Sequence, residues 1–424
     1  MILELRVKNF LSFKDEVVFS FEATKDKNLE DYHVVEITPK VRILRLAIIY
    51  GANTSGKSNL LNVFEFLRSF WLNITNNKDE NTKAIPFLLD SITPNNPSEF
   101  SLTFYANKTK YIYSLKINQN KVLLEKLYFY SSNRRTLIFE RKLDNNVSNI
   151  HFNEAKIKIS QAEKDEIRVK CLNNMSVIAA YNQVNTSIEE IEEAINWMKN
   201  QYMPLINNKT NLSDYTKNKL KEDASLKEYI LNFLFKADFH IADIKIEKVR
   251  KEISKHLLDS LEQQGIISKE KRLEIENETI DKLFFEHRII NNDDKEEFYF
   301  LPEGLESLGT IRTFGLTGVL KTLIDKNGFL AIDEIENSLH PKLIEFIIED
   351  FLKHKGESQL LLTTHYDGLL EEYDLLRNDN IWFANKQEDG STELYSLSDF
   401  SGLKRISSLQ KAYKYGQFGA IPNI

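Results

Sequence analysis

The chain is poor in cysteine, glycine and proline, and each scarcity narrows what it can be. One cysteine, Cys171, permits neither an intrachain disulfide nor a thiolate metal cage; a reducing, cytoplasmic setting is expected, with the thiol as a small buried side chain. Long apolar runs are missing, so no membrane span is expected. Met1-Ile-Leu-Glu-Leu-Arg-Val-Lys8 alternates like a strand and lacks the basic and apolar regions of a signal peptide. An excess of basic residues is missing too. The formal net charge of -7 leaves only a local patch for any contact with nucleic acid. No low-complexity linker or internal repeat breaks the text, and 424 residues at 42% hydrophobic can bury a large core in two or three structural units.

With only 14 glycines in the chain, two of them spaced as Gly51-Ala-Asn53-Thr-Ser55-Gly56-Lys57-Ser58-Asn59 are informative. This is the G-x4-G-K-S pattern of a phosphate-binding loop. Backbone N–H groups curl around phosphate oxygens, the lysine ammonium reaches the β and γ phosphates, and the serine hydroxyl is offered to Mg2+. The flanks fit. Apolar Ile43–Tyr50 reads as the preceding strand, and Asn59–Leu67 reads as a helix whose N-terminus faces the anion. Gly51, Asn53, Ser55, Gly56, Lys57, Ser58 and Asn59 are the expected nucleotide contacts.

Around this loop the text is mixed. Ile2–Val7 and Val17–Phe21 read as strands, as do Phe100–Tyr105, Tyr111–Ile117 and Val122–Tyr130, which together suggest an antiparallel sheet beside the nucleotide core. From Ser187 to about Glu276 the pattern turns charged and helix-periodic, as in the spacing of Leu226, Ile230, Phe233 and Leu234, with one strand at Ile241–Glu247. The expected organisation is an N-terminal lobe over 1–183, a mainly helical insertion over 184–294 and a C-terminal lobe over 295–424.

Three motifs follow in the last third. Gly328-Phe-Leu-Ala-Ile-Asp333-Glu334 is an apolar strand ending in two acids. In such a place the first carboxylate holds Mg2+ beside the phosphate loop and the second orients the attacking water. Gln359–Thr364 is another apolar strand, ending at His365, whose imidazole is placed to bond a γ-phosphate; a plain strand-end histidine reads the same. Ser307-Leu308-Gly309-Thr310 opens a helix-compatible stretch and offers hydroxyl and N–H donors to an anion, as would a simple N-cap.

The order of these motifs resembles the ABC-type ATPases of the SMC and RecF-like branch. Ser307-Leu308-Gly309-Thr310 stands where that family's signature lies, and Glu336-Asn-Ser-Leu-His-Pro341 stands in place of the D-loop. Within the branch the chain is similar to ATPases of bacterial anti-phage systems, the OLD-like group and the abortive-infection ATPases of the AbiLi and RloA kind. The C-terminal segments Arg377–Lys386, Glu393–Phe400 and Ala412–Pro422 carry the narrower likeness. The resemblance implies an α/β fold, an ABC-ATPase head with a mixed-sheet core, an antiparallel β-subdomain and a helical insertion. It implies ATP and Mg2+ as cofactors, with Ser58 and Asp333 on the metal, Glu334 activating water and His365 on the γ-phosphate. It further implies a homodimer or larger assembly, in which Ser307, Gly309 and Thr310 of one copy close over nucleotide held by another.

Two departures shape the expectation. The family's metal-reaching glutamine has its nearest counterpart in Gln183, within Ala180-Tyr-Asn-Gln-Val184. The segment after His365 lacks the acidic cluster of a TOPRIM nuclease, so nuclease chemistry is expected on a separate effector protein. The leading reading is an ATPase that senses infection or holds that effector. Its rival is a DNA-repair or DNA-clamping ATPase with a basic stripe drawn from Lys108, Lys110, Arg134, Arg135, Arg141 and Lys142. A scaffold with structural nucleotide is disfavoured by the full set of Lys57, Asp333, Glu334 and His365. A transporter subunit fits least.

Overall fold

The computed structural model describes residues 1–130, 132, 134–251 and 254–422. The chain divides into two units. The first comprises 1–210, 323–337 and 341–424, and the second comprises 211–322 with 338–340.

The first unit is α/β and contains two large sheets and a two-stranded one of Val34–Thr38 and Val41–Leu44. A mixed five-stranded sheet has the order Phe329–Ile332, Gln359–Thr363, Leu46–Tyr50, Ile381–Lys386, Thr392–Ser396; the first four run parallel and the last is antiparallel. Leu46–Tyr50 and Gln359–Thr363 are buried at every position, which is why both read as uninterrupted apolar runs instead of alternating ones. The second sheet is antiparallel and seven-stranded, from Val147–Phe152 through Ser98–Ala106 to Ile2–Lys8 and Val17–Ser20. Every strand expected between residues 100 and 130 is part of it, and so are both N-terminal strands.

The helix Lys57–Leu72 packs against both sheets. Its Phe64 ring lies 5.1 Å from Phe329 of the mixed sheet and 6.0 Å from Phe19 of the antiparallel one. About two turns later Trp71 meets Tyr113 edge-on at 4.9 Å. Burying aromatic rings of this size on two fronts contributes several kcal/mol and fixes where the helix begins. Gln359, fully buried, ties the sheets at a second point: its amide donates to the carbonyls of Ile2 (2.9 Å) and Leu44 (3.1 Å).

The second unit contains the helices Leu212–Glu222 and Ala224–Lys236 and an antiparallel sheet of Ile241–Arg250, Thr279–Ile290 and Glu296–Pro302. Its core is Leu226, Ile230, Leu234, Ile244, Leu283, Phe285 and Phe314, with Phe285 and Phe314 edge-to-face at 5.4 Å. The single strand expected here is thus one of three. Along Thr279–Ile290 only Leu283 and Phe285 are buried, and Asp281, Lys282, Glu286 and Arg288 interrupt the apolar residues, which dilutes the strand signal.

Among the described residues no helix is long and apolar enough to cross a membrane. The candidate basic stripe loses a member. Arg141 is fully buried, 3.7 Å from the buried Glu125, and its guanidinium serves the carbonyls of Met175 and Leu172. It belongs to the core of the antiparallel sheet and not to its surface. Arg135 lies over the Tyr128 ring and Lys142 pairs with Glu140.

Candidate nucleotide-binding site

Strand Leu46–Tyr50 delivers the loop and helix Lys57–Leu72 leaves it; the apolar run expected as one strand from Ile43 breaks at Arg45, and Val41–Leu44 pairs instead with Val34–Thr38. Two glycines make the turn possible. Gly56 sits at φ 105°, and a Cβ there would lie 2.1 Å from Thr392 Oγ1 and 2.8 Å from Ser12 Oγ. A Cβ on Gly51 would lie 2.4 Å from the Ala384 carbonyl. The loop is pressed against the strand ends behind it, and only glycine permits that approach.

Ser12 and Thr392 form the rear wall. Thr392 Oγ1 lies 2.8 Å from the Ser55 carbonyl and 2.7 Å from Ser12 Oγ, while Asn59 donates to Ser12 Oγ at 2.8 Å. Asn59 therefore braces the loop from behind, and Asn53 is exposed at its tip. The Ser55 hydroxyl is buried without a protein partner, a polar atom left over for a ligand.

Lys57 folds back onto its own loop. Its ammonium donates to the carbonyls of Gly51 (2.8 Å) and Ala52 (3.0 Å). Burial pushes its pKa down to about 8, against the pull of Glu336, Asp333 and Glu334. An anion arriving here would restore the charge that burial penalises.

The acidic strand ends beside the loop. Ser58 Oγ donates to Asp333 Oδ1 at 3.1 Å, and Thr363 Oγ1 donates to the same oxygen at 2.6 Å. The Glu334 N–H donates to Thr363 Oγ1 at 2.8 Å, so one threonine holds both acids in place. A hydroxyl and a carboxylate are hard oxygen donors and fit Mg2+, which keeps water and phosphate oxygens as its other ligands. Among the described residues no group of three or more His, Cys, Asp or Glu is placed to hold a metal ion.

His365 follows the neighbouring strand, and its N–H donates to Glu336 Oε1 at 2.6 Å. Its ring is open to solvent on one side. The desolvation it does feel, and then the Lys57 ammonium, lower its imidazole pKa and favour the neutral form. The other Glu336 oxygen is buried without a protein partner.

Gln183 is not at this site. It lies in the turn after the short helix Val177–Tyr181, where its amide donates to the Ala179 carbonyl at 3.4 Å and faces Met175 Sδ at 3.8 Å. Lys170 occupies its carbonyl. The chain reaches the acids later, at 202–208. Ile206 pairs with Ile332, and Asn208 Nδ2 donates to Glu334 Oε2 at 2.6 Å. Asn208, Ser12, Thr363 and Thr392 carry no motif, and strand pairing across hundreds of residues was the only signal for them.

In the second unit Ser307 caps the helix Leu308–Asp325. Its Oγ accepts the Thr310 N–H at 3.0 Å and lies 2.8 Å from the Thr310 hydroxyl. A Cβ on Gly309 would lie 3.0 Å from the Ser338 carbonyl. Ser307 is exposed, so its hydroxyl remains approachable.

Comparison with known proteins finds two solved structures and one family. The SMC head domain from Thermotoga maritima is 12% identical, with 93% of this chain and 98% of that one covered at a TM-score of 0.42. An SMC head bound to the C-winged helix domain of ScpA is 11% identical, with 94% and 99% covered at the same TM-score. No curated protein matches the chain. A family model does: the one described as "AAA domain, putative AbiEii toxin, Type IV TA system" matches residues 46–371, from the strand before the phosphate loop to beyond His365, and the chain belongs to that family.

Proposed function

We propose that this chain binds ATP with Mg2+ and hydrolyses it, and that turnover drives a sensor or scaffold subunit of an anti-phage system. The observation that carries the proposal is the meeting of Ser58 with Asp333 at 3.1 Å, next to the Lys57 ammonium. Residues 275 positions apart have no reason to converge there with two acids and a partnerless serine unless a polyanion and its cation are to be held.

In this reading Lys57 and the loop N–H groups bind the phosphates, and Ser58 and Asp333 hold Mg2+ when it is bound. Glu334 orients the attacking water and His365 contacts the γ-phosphate. Ser307, Gly309 and Thr310 of one copy close over nucleotide held by another, so ATP joins two copies and hydrolysis releases them. The defensive role is supported by the sequence likeness to abortive-infection ATPases and by the toxin–antitoxin wording of the family. The toxic activity belongs to a separate effector, for which a TOPRIM-type nuclease is the first candidate.

Phosphate release from ATP tests the chemistry. Wild type should turn over with Mg2+, and Glu334→Gln should slow it about 10²–10⁴-fold while ATP still binds. Near-normal turnover in Glu334→Gln would remove that residue from the mechanism. Native mass measurement with the product of the neighbouring gene, with and without ATP, tests the partnership. A lone dimer that instead collects DNA would favour the DNA-clamping alternative.

A further inference from the structure

Glu334 has the one job at this site that demands exact aim, and its geometry is held at two points. Its backbone stands at φ 49°, a left-handed conformation that strains a glutamate and persists only when neighbours impose it. Thr363 Oγ1 imposes it by taking the Glu334 N–H at 2.8 Å. The second point is the carboxylate itself. Asn208 Nδ2 donates to Oε2 at 2.6 Å.

Asn208 is not loosely placed. The segment before it lies parallel to Phe329–Ile332 as a further edge. Met203 N–H donates to the Phe329 carbonyl (2.9 Å), Ile206 N–H to the Ala331 carbonyl (3.0 Å), and Asp333 N–H returns to the Ile206 carbonyl (2.8 Å). Beyond it a turn is fixed by the Asn207 side chain, whose Oδ1 takes the Lys209 N–H at 2.9 Å, and by Thr210, whose hydroxyl takes the Asn207 N–H at 3.0 Å. The amide reaches Glu334 from a frame built on the acidic strand.

We propose that Asn208 is a positioning residue for Glu334: by holding Oε2 it fixes the rotation of the carboxylate and leaves Oε1 to accept the hydrogen of the attacking water. The terminal torsion of a glutamate is broad and roughly two-fold, so an unheld carboxylate spreads over orientations that mostly miss the water. A single charge-assisted hydrogen bond removes that freedom. This inference rests on the ATPase reading above and assigns to Asn208 a task that Gln183, bound elsewhere, does not perform.

The test is steady-state ATP turnover by the full chain with Mg2+, comparing wild type, Asn208→Ala and Asn208→Gln, each alone and combined with Glu334→Gln. Asn208 is exposed, so these variants keep the fold. Asn208→Ala should lower kcat about 10–10²-fold with KM for ATP essentially unchanged, and Asn208→Gln, which keeps the amide, should recover part of the loss. In the Glu334→Gln background Asn208→Ala should cost nothing further, because a positioned group and its positioner act as one unit. Unchanged kcat in Asn208→Ala, a loss confined to KM, or full additivity with Glu334→Gln would each overturn the proposal while leaving the ATPase reading intact. A wild type without Mg2+-dependent turnover would overturn that reading and this one together.

Discussion

The phosphate loop of the first unit and the Ser307 segment of the second offer the same chemistry, hydroxyl and N–H donors at a helix start, yet they are built differently. The loop follows a strand buried at every residue, opens a helix clasped between two sheets, and is walled by Ser12 and Thr392. The Ser307 segment follows Glu296–Pro302, whose Phe298, Tyr299 and Phe300 are 51%, 51% and 38% exposed, and it is flanked by the exposed Leu305 and Leu308. One is preorganised by its own unit. The other is a surface element whose serine hydroxyl is engaged only with Thr310 of its own helix. A site that must hold nucleotide in a lone copy needs the first kind of construction; a contact made only between copies needs the second.

The largest expected effect lies at the tightest point of the loop. Gly56→Ala combines a strained φ with a Cβ 2.1 Å from Thr392 Oγ1, a short side chain already engaged with Ser12 and Ser55. Stability should fall by about 2–6 kcal/mol, and ATP binding should be lost, as read by denaturant unfolding and by titration with Mg2+ and ATP. Retention of both would mean that the rear wall yields. Next comes Phe285→Ala, which empties the core of the second unit against Phe314 and should cost about 3–5 kcal/mol. If the comparison holds, a lone copy of Phe285→Ala still binds ATP, while ATP-dependent assembly of two copies fails.

Acid should act on the first unit. His33 is buried, its Nε2 bonded to the Leu375 carbonyl at 2.9 Å and its Nδ1 without a partner. Burial pushes its pKa down to about 4, against 6.5 in the unfolded chain. Between those values the unfolded state binds the extra proton, so stability falls as pH drops from 6.5 to 4, by up to about 3 kcal/mol. His33→Gln should flatten that slope in urea unfolding measured across the range; an identical slope would place the acid sensitivity elsewhere.

What could be read from the sequence follows the same division. The loop and the acidic strand are legible because their chemistry is local: glycine spacing, one lysine, two acids at the end of an apolar run. The antiparallel sheet is legible because its strands carry their own alternation. Gln183 misled because reaching a metal depends on where the chain runs in space, and the pattern around 183 ends in a turn facing Met175. Asn208 and Thr392 were invisible because their partners lie 126 and 380 residues away, and no residue type announces such a meeting. In the second unit, Thr279–Ile290 and Glu296–Pro302 bury few residues and mix charged with apolar ones without a regular period, and so blur into the helical text around them.

The smallest effect is the one that separates two roles for Ser307. As the cap of Leu308–Asp325 its hydroxyl takes the Thr310 N–H, and Ser307→Ala should cost about 1 kcal/mol for that reason alone. Loss of assembly in that variant would therefore not distinguish a weakened helix from a missing phosphate contact. Ser307→Asp does distinguish them. Aspartate caps a helix as well as serine does, so unfolding stability should stay within about 0.5 kcal/mol of wild type. Toward a facing nucleotide it presents a carboxylate to phosphate where serine presents a donor, and like charges brought together in a closing interface cost several kcal/mol. An unaltered melt with ATP-dependent assembly abolished would assign Ser307 to the contact between copies. Assembly that survives Ser307→Asp would leave it a cap and nothing more, and the second unit would then need another surface with which to close over ATP.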